Sequence, residues 1–293
     1  MKILILGGNG MIGHKVYQII SEKYTDTWVL FKKKYIDIPS HDLFKKNKII
    51  DNFDLSNFEN LIKLLNNLNP DYIINAAGIT IRRGLNICVS KTILINSALP
   101  NVLDEWVTTK NKRLIHFSTD CVFSGKNGFY NEKSIPDGED LYSRTKALGE
   151  INSTNTLTLR GSMIGRELEN KTELLEWFLN QKNHKINGFN KASYSGITTI
   201  SMAKLVLRII DEYPKMSGLY NVSSSEISKY SLLQLLNSHF NNNVDVILDD
   251  SYSSNKTLDS TLFYKKTGFK KEDWQELVLE LKKDCEVNSI YYK

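Results

Sequence analysis

The sequence predicts an α/β protein with a doubly wound parallel sheet and a smaller C-terminal lobe. A short apolar run, Ile3-Leu4-Ile5-Leu6, leads directly into glycines, as a buried parallel strand does before a tight connection. Strand-like and helix-like segments then alternate with short connections as far as Arg160, which indicates a parallel sheet covered by helices on both faces. Beyond Arg160 the alternation weakens. We therefore assign residues 1–160 to one domain and residues 161–293 mainly to a lobe, parts of which we expect to return to the first domain.

The strands are predicted from short, continuous apolar runs, which are typical of strands buried on both faces. Strands fit residues 2–6, 27–31, a short segment that ends at 52–54, 72–75, 113–117 and 156–160. The carboxyl ends of these strands should form the edge at which ligands bind.

The helices are predicted from apolar periodicity and from boundary residues. Ser56-Asn57-Phe58-Glu59 fits a capping box, and Pro70 stops the helix that this box begins. Helices fit residues 11–21, 56–68, 90–110 and 142–150 in the first domain, and 173–181, 201–212, 232–240 and 272–284 in the lobe. Residues 187–199 are a polar stretch between these helices, and we assign them to the substrate lobe.

Composition and charge exclude several function classes. The chain has 293 residues, 41% of them hydrophobic, and its net charge of +5 comes from lysines spread along its length. Nucleic-acid binders concentrate basic residues in one place, so we expect no nucleic-acid partner. No apolar run approaches the roughly 20 residues that span a bilayer, and the apolar start is too short for a signal peptide. We therefore expect a cytoplasmic protein that does not bind membranes.

The cysteines argue against a structural framework of disulfides or metal. Cys88, Cys121 and Cys285 are an odd number at wide spacing. We expect a reducing location and no metal site.

Three glycines, Gly7, Gly10 and Gly13, follow the first strand at a spacing of three residues. In a strand–turn–helix unit the first glycine permits the tight turn, and the second lets the backbone approach a pyrophosphate. The third lets the helix pack against the strand. The amides at the helix N-terminus, around Met11 and Ile12, then face the phosphates. This arrangement predicts a dinucleotide-binding domain of the Rossmann type.

The end of the second strand indicates which dinucleotide binds. Sites for NAD carry an Asp or Glu about 20 residues after the glycines, and it binds the ribose 2′-hydroxyl. This chain has Phe31-Lys32-Lys33-Lys34 there, without an acid, and a basic cluster suits the 2′-phosphate of NADP(H). A solvated loop is the alternative for these lysines. Asp54 and Leu55, after the third strand, are placed to meet the adenine ring.

Segments at two later strand ends and on one helix fit the reduction of a carbonyl group. Asn75-Ala76-Ala77-Gly78 ends the fourth strand, and Ser118-Thr119-Asp120 ends the fifth. Tyr142 and Lys146 lie four residues apart on a predicted helix and so share one face. A nearby ammonium lowers the pKa of a phenol from its usual value of about 10, which would prepare Tyr142 to exchange a proton. The Thr119 hydroxyl would hold the same substrate oxygen.

With these motifs the chain resembles an extended short-chain dehydrogenase/reductase. Within that group it is similar to the dTDP-4-dehydrorhamnose reductases and to related nucleotide-sugar reductases of capsule and O-antigen synthesis. The segments that carry the resemblance are GGNGMIG, NAAG, INSALP, STDCVFSG, YSRTK and TLRGSMIG, all within residues 1–165. The resemblance implies a Rossmann domain that binds NADP(H) and a lobe that binds a nucleotide-diphosphate sugar. It also implies reduction of a 4-keto group of a 6-deoxy sugar for bacterial cell-surface polysaccharides.

Together with the residue patterns, the resemblance gives a set of candidate site residues. Thr119, Tyr142 and Lys146 would be catalytic. The cofactor would contact Gly7, Gly10, Met11, Ile12, Gly13, Lys32, Lys33, Asp54, Leu55, Ala76, Ala77, Gly78, Asn96, Tyr142 and Lys146. The substrate would contact Arg82, Asp120, Cys121, Tyr194 and Ser195. A homodimer is a further expectation.

Cys121 leaves the sugar and the reaction open. Rhamnose reductases usually carry an aromatic residue at this position, and the stretch GSMIGRE also departs from their form. Nucleotide-sugar 4,6-dehydratases need a glutamate base where this chain has Cys121, which disfavours that activity. GDP-fucose synthases epimerise and then reduce, with a cysteine two residues after their catalytic serine, and Cys121 lies two residues after Thr119. They also need a histidine, for which the nearest residues here are Glu173 and His184.

Two further interpretations of the sequence assign no catalytic role to Cys121. Free cysteine is among the most buried residue types, so Cys121 also fits an inert position in a strand-end loop. A non-catalytic, dinucleotide-binding regulatory subunit is built on the same fold in some members of the superfamily. Such proteins commonly lose the tyrosine or the lysine, and this chain retains Tyr142 and Lys146.

Overall fold

A computed structural model describes residues 1–80 and 88–292 of the chain. In chain order the strands are β1 (Ile3–Leu6), β2 (Thr27–Leu30), β3 (Ile49–Ile50), β4 (Tyr72–Asn75), β5 (Arg113–Ser118), β6 (Thr156–Arg160), β7 (Met163–Ile164), β8 (Lys185–Tyr194), β9 (Ile197–Thr198), β10 (Gly218–Asn221), β11 (Ile227–Ser228) and β12 (Asp245–Asn255). Seven of them form the central sheet, in the order β10-β6-β5-β4-β1-β2-β3, and every pairing in it is parallel. A three-stranded sheet, β11-β8-β12, and the short pair β7-β9 lie outside it.

Helices connect and cover these strands. They are α1 (Met11–Lys23), α2 (Phe58–Leu68), α3 (Val89–Ile93), α4 (Leu99–Lys110), α5 (Leu141–Leu148), α6 (Leu174–Leu179), α7 (Thr199–Glu212), α8 (Lys229–Phe240), α9 (Thr261–Thr267) and α10 (Trp274–Val287). A π-helical turn at Leu94–Ala98 joins α3 to α4, and single 3₁₀ turns occur at Tyr35–Asp37, His41–Leu43, Lys46–Lys48, Asp120–Val122 and Ser289–Tyr291. None of the helices in the described ranges is long and apolar enough to cross a membrane.

Alternate residues of the central strands pack against helices on opposite faces of the sheet. Ile3 and Ile5 of β1 belong to a core that includes apolar residues of α1 and α7. Leu4 and Leu6 belong to a second core, with apolar residues of α2 and α4. All four side chains are completely buried, because helices cover both faces of the sheet, and every residue of β1 is therefore apolar. The predicted fold class, a doubly wound parallel sheet, is confirmed.

The structure corrects some predicted boundaries in the first half of the chain. β3 ends at Ile50, before the predicted end at 52–54, and Asn52 has a φ of 51° that an extended strand does not allow. The predicted capping box at Ser56 is wrong, because Asn57 is the N-cap of α2. The Asn57 side chain accepts the backbone N–H of Asn60 at 3.1 Å, whereas Ser56 donates to the Asp54 carboxylate.

The polar stretch at residues 187–199, for which no element is predicted, lies mostly in β8 and β9. Most side chains of β8 and β12 are exposed or half-buried, so these strands lack the apolar pattern on which sequence prediction depends. β10 is likewise absent from the predicted elements, and it pairs in parallel with β6 at the edge of the central sheet. The part of the chain after residue 161 therefore supplies both a strand of the central sheet and a separate small sheet.

A buried ion pair joins the strands that meet beneath the predicted catalytic segments. The Arg160 guanidinium donates to the Glu150 carboxylate through Nε at 2.8 Å and Nη2 at 2.6 Å, and both side chains are almost completely buried. Glu150 also accepts the Ser118 hydroxyl of β5 at 2.6 Å, and Arg160 donates to Asn221 of β10 at 3.2 Å. One ion pair thus connects the segment after α5 with three neighbouring strands.

We expect Glu150→Gln to lower the free energy of unfolding by about 3–5 kcal/mol, because Arg160 would keep its charge in a buried position without a counterion. Urea denaturation followed by circular dichroism measures the change. Glu139→Gln is the matched control, since Glu139 and Lys126 form an exposed pair at 3.6 Å whose loss should leave stability nearly unchanged. Equal stabilities of the two variants would contradict the importance of the buried pair.

Candidate active site and dinucleotide cleft

The glycine turn after β1 has the tight geometry that its spacing predicts. Gly7 has a φ of 73°, and a Cβ atom there would lie 2.8 Å from the backbone of Ala77 at the end of β4. The Gly10 N–H donates to the Gly7 carbonyl at 3.0 Å, and α1 begins at the next residue. A Cβ atom on Gly13 would lie 2.1 Å from the Gly7 oxygen, so only glycine lets α1 pack this close to the turn.

A cavity of about 260 Å³ lies along this turn, at the carboxyl ends of the central strands. Nine of the predicted cofactor residues line it: Gly7, Gly10, Met11, Lys32, Asp54, Leu55, Ala76, Ala77 and Gly78. The position of the cavity and the residues that line it agree with the site at which a doubly wound fold binds a dinucleotide.

The other predicted cofactor residues are not among those that line the cavity. They are Ile12, Gly13, Lys33, Asn96, Tyr142 and Lys146. Ile12 is 8% exposed and packs into the core, and Gly13 lies beneath the turn. Their contacts with a cofactor stay predictions.

The cavity also has walls that sequence reasoning did not identify. The additional lining residues are Asn9, Leu30, Phe53, Ile79, Lys91, Ile95, Glu167, Glu169 and Asn170. The last three follow β7 and reach the glycine turn from a distant part of the chain. Their sequence does not indicate a cofactor contact, because only the tertiary fold brings them to the cleft.

Ion pairs form at the end of the cleft where the adenine is predicted to bind, and they involve one lysine of the predicted basic cluster. Lys33 forms an ion pair with Glu169, which also accepts a hydrogen bond from the Asn9 side chain at 3.0 Å. Lys32 lines the cavity and its side chain is exposed. On the other wall, Lys91 lies 2.8 Å from the Asp54 carboxylate, and Lys91 with Ser56 holds the pKa of that carboxyl well below its usual range. Lys32 is therefore the lysine of the predicted pair that lies open to an anionic ligand.

The side chain of Asn96, which is predicted to contact the cofactor, holds the backbone that follows β4. Its Oδ1 accepts the Ile79 N–H at 2.8 Å, and its Nδ2 donates to the Ile79 carbonyl at 2.9 Å. Nδ2 also donates to the Thr145 hydroxyl on α5 at 3.2 Å. Because Ile79 lines the cavity, Asn96 acts here by fixing a wall of the cleft and tying it to α5.

The three predicted catalytic residues lie at the end of β5 and on α5. Thr119 directly follows β5, and its hydroxyl accepts the Cys121 N–H at 3.1 Å. The α5 helix that carries Tyr142 and Lys146 is capped by the Asp140 carboxylate, which accepts the Ser143 N–H at 2.9 Å. The Lys146 ammonium is buried and donates to the Phe117 carbonyl of β5 at 2.7 Å.

Burial is the largest influence on the pKa values of Tyr142 and Lys146. It raises the pKa of Tyr142 above its ordinary value, with smaller contributions from Cys121, Asp120 and Glu173, while the Thr119 hydroxyl partly offsets the rise. The predicted lowering of this pKa by Lys146 is therefore wrong for the structure described. Burial also lowers the pKa of Lys146 to about 8, against the opposing charge of Glu150. Near neutral pH, Tyr142 is a protonated phenol, which suits a proton donor.

Asp120 and Cys121 form the turn beside Thr119, and burial is the largest influence on the pKa of each side chain. It raises the pKa of the Cys121 thiol to about 12, with a further rise from Asp120. It also raises the pKa of Asp120, which the charges of Lys229 and Lys256 oppose. A neutral thiol is a poor base near pH 7. Cys121 therefore has the character of the inert cysteine considered among the sequence alternatives.

The other predicted substrate residues differ in how far the structure describes them. Tyr194 is buried, with the Lys229 ammonium 3.8 Å from its ring centroid. The Ser195 hydroxyl accepts the Leu258 N–H at 3.0 Å inside the lobe. Arg82 lies outside the described residues. Across the described ranges, no group of three or more His, Cys, Asp or Glu side chains could hold a metal ion.

Comparison with known families and curated proteins gives consistent matches. The family described as RmlD substrate binding domain matches residues 1–286. A probable low-salt glycan biosynthesis reductase, Agl14, from Haloferax volcanii is 27% identical over 153 residues, which are 51% of this chain and 48% of that protein. A dTDP-4-dehydrorhamnose reductase from Aggregatibacter actinomycetemcomitans is 33% identical over 98 residues, 33% of each chain. The chain thus spans about half the length, or less, of these curated relatives.

Comparison with solved structures extends over almost the whole chain. The dTDP-4-dehydrorhamnose reductase from Bacillus anthracis str. Ames, in complex with NADP, superposes with a TM-score of 0.79 at 17% identity. The superposition covers 96% of this chain and 99% of that one. At this identity the likeness establishes the fold.

Proposed function

The chain belongs to the RmlD substrate binding domain family, and we propose that it is an NADPH-dependent reductase of a nucleotide-linked 4-keto-6-deoxy sugar. The observation that carries the proposal is that Thr119, at the carboxyl end of β5, lies close to Tyr142 and that Lys146 donates to Phe117 of the same strand. Thr119 follows β5, two strands from β1 in the sheet, and α5 brings the other two residues to the same edge. A hydride donor bound in the cleft and a carbonyl at Tyr142 would then lie side by side.

The residues of the cleft fit a dinucleotide. The glycine turn has space where side chains would collide with backbone, and Met11, the first residue of α1, lines the cavity, so that the N-terminus of this helix is placed to bind a pyrophosphate. No acid follows β2, and Lys32 is available for a 2′-phosphate. The related Bacillus anthracis structure was determined with NADP, which supports the same choice here. When bound, NADPH supplies a hydride from its nicotinamide C4.

The chain's own residues would then complete the reduction. Thr119 would hold the keto oxygen, and Tyr142 would donate its proton to that oxygen as the sugar C4 becomes a secondary alcohol. The raised pKa keeps Tyr142 protonated until charge develops on the oxygen. Lys146, with a pKa of about 8, keeps mainly its charged form at neutral pH. Its ammonium would stabilise the phenolate that remains and hold the nicotinamide ribose.

Two features support a role in glycan synthesis. The Haloferax volcanii relative is described as a probable glycan biosynthesis reductase, and the Aggregatibacter relative reduces dTDP-4-dehydrorhamnose by name. We therefore assign the protein to the preparation of sugar nucleotides for cell-surface polysaccharides. The raised pKa of Cys121 disfavours an epimerase step that begins with a thiolate, and retention of Tyr142 and Lys146 disfavours a non-catalytic subunit.

Cofactor preference can be tested by equilibrium binding. We expect NADPH to bind more tightly than NADH, and Lys32→Glu to weaken NADPH by roughly tenfold or more because it places a negative charge beside the 2′-phosphate. NADH, which lacks that phosphate, should be affected little. Lys34→Glu is the matched control, since Lys34 is exposed and is not among the residues lining the cavity. Tighter binding of NADH by the native chain would contradict the assignment.

The proton donor can be tested by turnover of NADPH with a panel of dTDP-, UDP-, GDP- and CDP-linked 4-keto-6-deoxy sugars. Tyr142→Phe should reduce turnover of the preferred sugar by about 10²–10⁴-fold while NADPH binding stays within a few-fold, because only a hydroxyl is removed. Lys146→Met should impair both. Tyr252→Phe is the control, since Tyr252 is 51% exposed. Near-native reduction by Tyr142→Phe would show that another group donates the proton.

Epimerisation can be tested in heavy water with the preferred sugar. A simple reductase should incorporate no solvent deuterium at carbon, and Cys121→Ser should keep turnover within a few-fold, because the neutral thiol takes no proton from the sugar. Mass spectrometry of the product measures the incorporation. Carbon-bound deuterium that disappears in Cys121→Ser would establish the epimerase instead.

A further inference from the structure

The carboxylate of Glu169 joins the segments that follow β1 and β2. It accepts a hydrogen bond from the Asn9 side chain of the glycine turn at 3.0 Å, and it forms an ion pair with Lys33, which lies shortly after β2. Glu169 itself belongs to the segment that follows β7. That segment therefore reaches both of the strand ends at which the pyrophosphate and the 2′-phosphate of the cofactor are expected to bind.

The backbone around Glu169 is held in a tight bend by its own contacts. The Glu167 carboxylate accepts the backbone N–H of Thr172 at 2.6 Å. Between them, Asn170 and Lys171 have φ angles of 64° and 49°, in the left-handed region that reverses the chain direction. The Lys171 N–H donates to the Glu169 carbonyl at 2.7 Å. The bend thus directs Glu169 toward the glycine turn through contacts that do not involve Lys33.

The two charges of the ion pair lie in different surroundings. The Glu169 side chain is 9% exposed and lines the cavity, whereas the Lys33 side chain is 52% exposed and is not among the lining residues. A charge in a partly desolvated position acts more strongly on its neighbours than a charge in water. A phosphate-bearing ligand in the cavity would therefore be repelled by Glu169, while the ion pair keeps the Lys33 ammonium at that carboxylate.

We propose that Glu169 is a specificity-determining residue of the cofactor site, which competes with the 2′-phosphate of NADPH for the Lys33 ammonium. This inference rests on the proposed function, because among the two nicotinamide cofactors only NADPH carries that phosphate. Glu169 repels the phosphate and withholds a lysine that would otherwise bind it, so the carboxylate limits the preference for NADPH over NADH. Removal of its charge would release Lys33 to form the stronger, charge-assisted kind of hydrogen bond with the phosphate.

Calorimetric titration of the full chain with NADPH and with NADH tests the competition. Glu169→Gln removes the charge but retains an oxygen that can accept the hydrogen bond from Asn9. It should tighten NADPH by about tenfold and NADH by at most about threefold, because NADH lacks the 2′-phosphate. Glu59→Gln is the matched control, since Glu59 and Lys63 form an exposed ion pair at 2.5 Å on α2. It should bind both cofactors like the native chain.

Two further measurements separate the charge of Glu169 from its role in packing. In a Lys33→Met chain, Glu169→Gln should tighten NADPH by no more than about threefold, because no ammonium is left to release. Glu169→Asp keeps the charge and should give no gain. The tenfold gain of Glu169→Gln should also shrink when salt is raised to about 1 M, because ions screen the interaction between an exposed lysine and a phosphate.

The outcomes distinguish this inference from the proposed function. If Glu169→Gln binds NADPH no more tightly than the native chain does, Glu169 only supports the wall of the cleft, and the inference is wrong while the reductase proposal is unaffected. A full tenfold gain in the Lys33→Met chain would contradict competition for Lys33. If the native chain binds neither cofactor, the proposed function itself fails. NADH affinity within about threefold of native shows that a variant is folded.

Discussion

The geometry of the active-site edge depends on the buried ion pair between Arg160 and Glu150. Burying two charges is costly, and the cost is offset only where each finds several good partners. Here the guanidinium donates twice to one carboxylate and once to Asn221, and the carboxylate also accepts from Ser118. The ring of Phe123 lies 4.9 Å from the guanidinium carbon. β5, β6, β10 and the segment after α5 are therefore fixed relative to one another close to the proposed catalytic residues, since Ser118 directly precedes Thr119 and Glu150 lies four residues after Lys146.

The Glu150 carboxylate affects the pKa of Lys146 as well as the packing of the strands. Glu150 opposes the fall in the pKa of Lys146 that burial causes, so the ammonium keeps most of its charge near neutral pH. Tyr142 is governed by desolvation, and its pKa rises. For a reduction this sign is useful, because the donor must hold its proton until the substrate oxygen becomes basic. A lowered pKa would suit the reverse reaction, in which the phenolate removes a proton from an alcohol.

Sequence reasoning correctly predicted those elements whose structure is determined by residues close together in the chain. The glycine spacing after β1, the alternation of apolar strands with helices, and the helix with Tyr142 and Lys146 all follow from rules that act within a few residues. β8 and β12 were not predicted, because their exposed side chains show no apolar pattern. The pairing of Lys33 with Glu169 joins residues 136 positions apart, and the attachment of Asn96 to Ile79 depends on the π-helical turn. Such contacts are set by the tertiary fold, so no short motif could indicate them.

The distribution of paired and unpaired charges along the cleft favours one position for an additional phosphate group. Lys33 and Lys91 are already matched by Glu169 and Asp54, and Lys32 is left exposed at the cavity. An anion binds most strongly where it satisfies a cation that the fold leaves unsatisfied. Lys32 would therefore favour a cofactor that carries a 2′-phosphate, because that phosphate is the group that distinguishes NADPH from NADH.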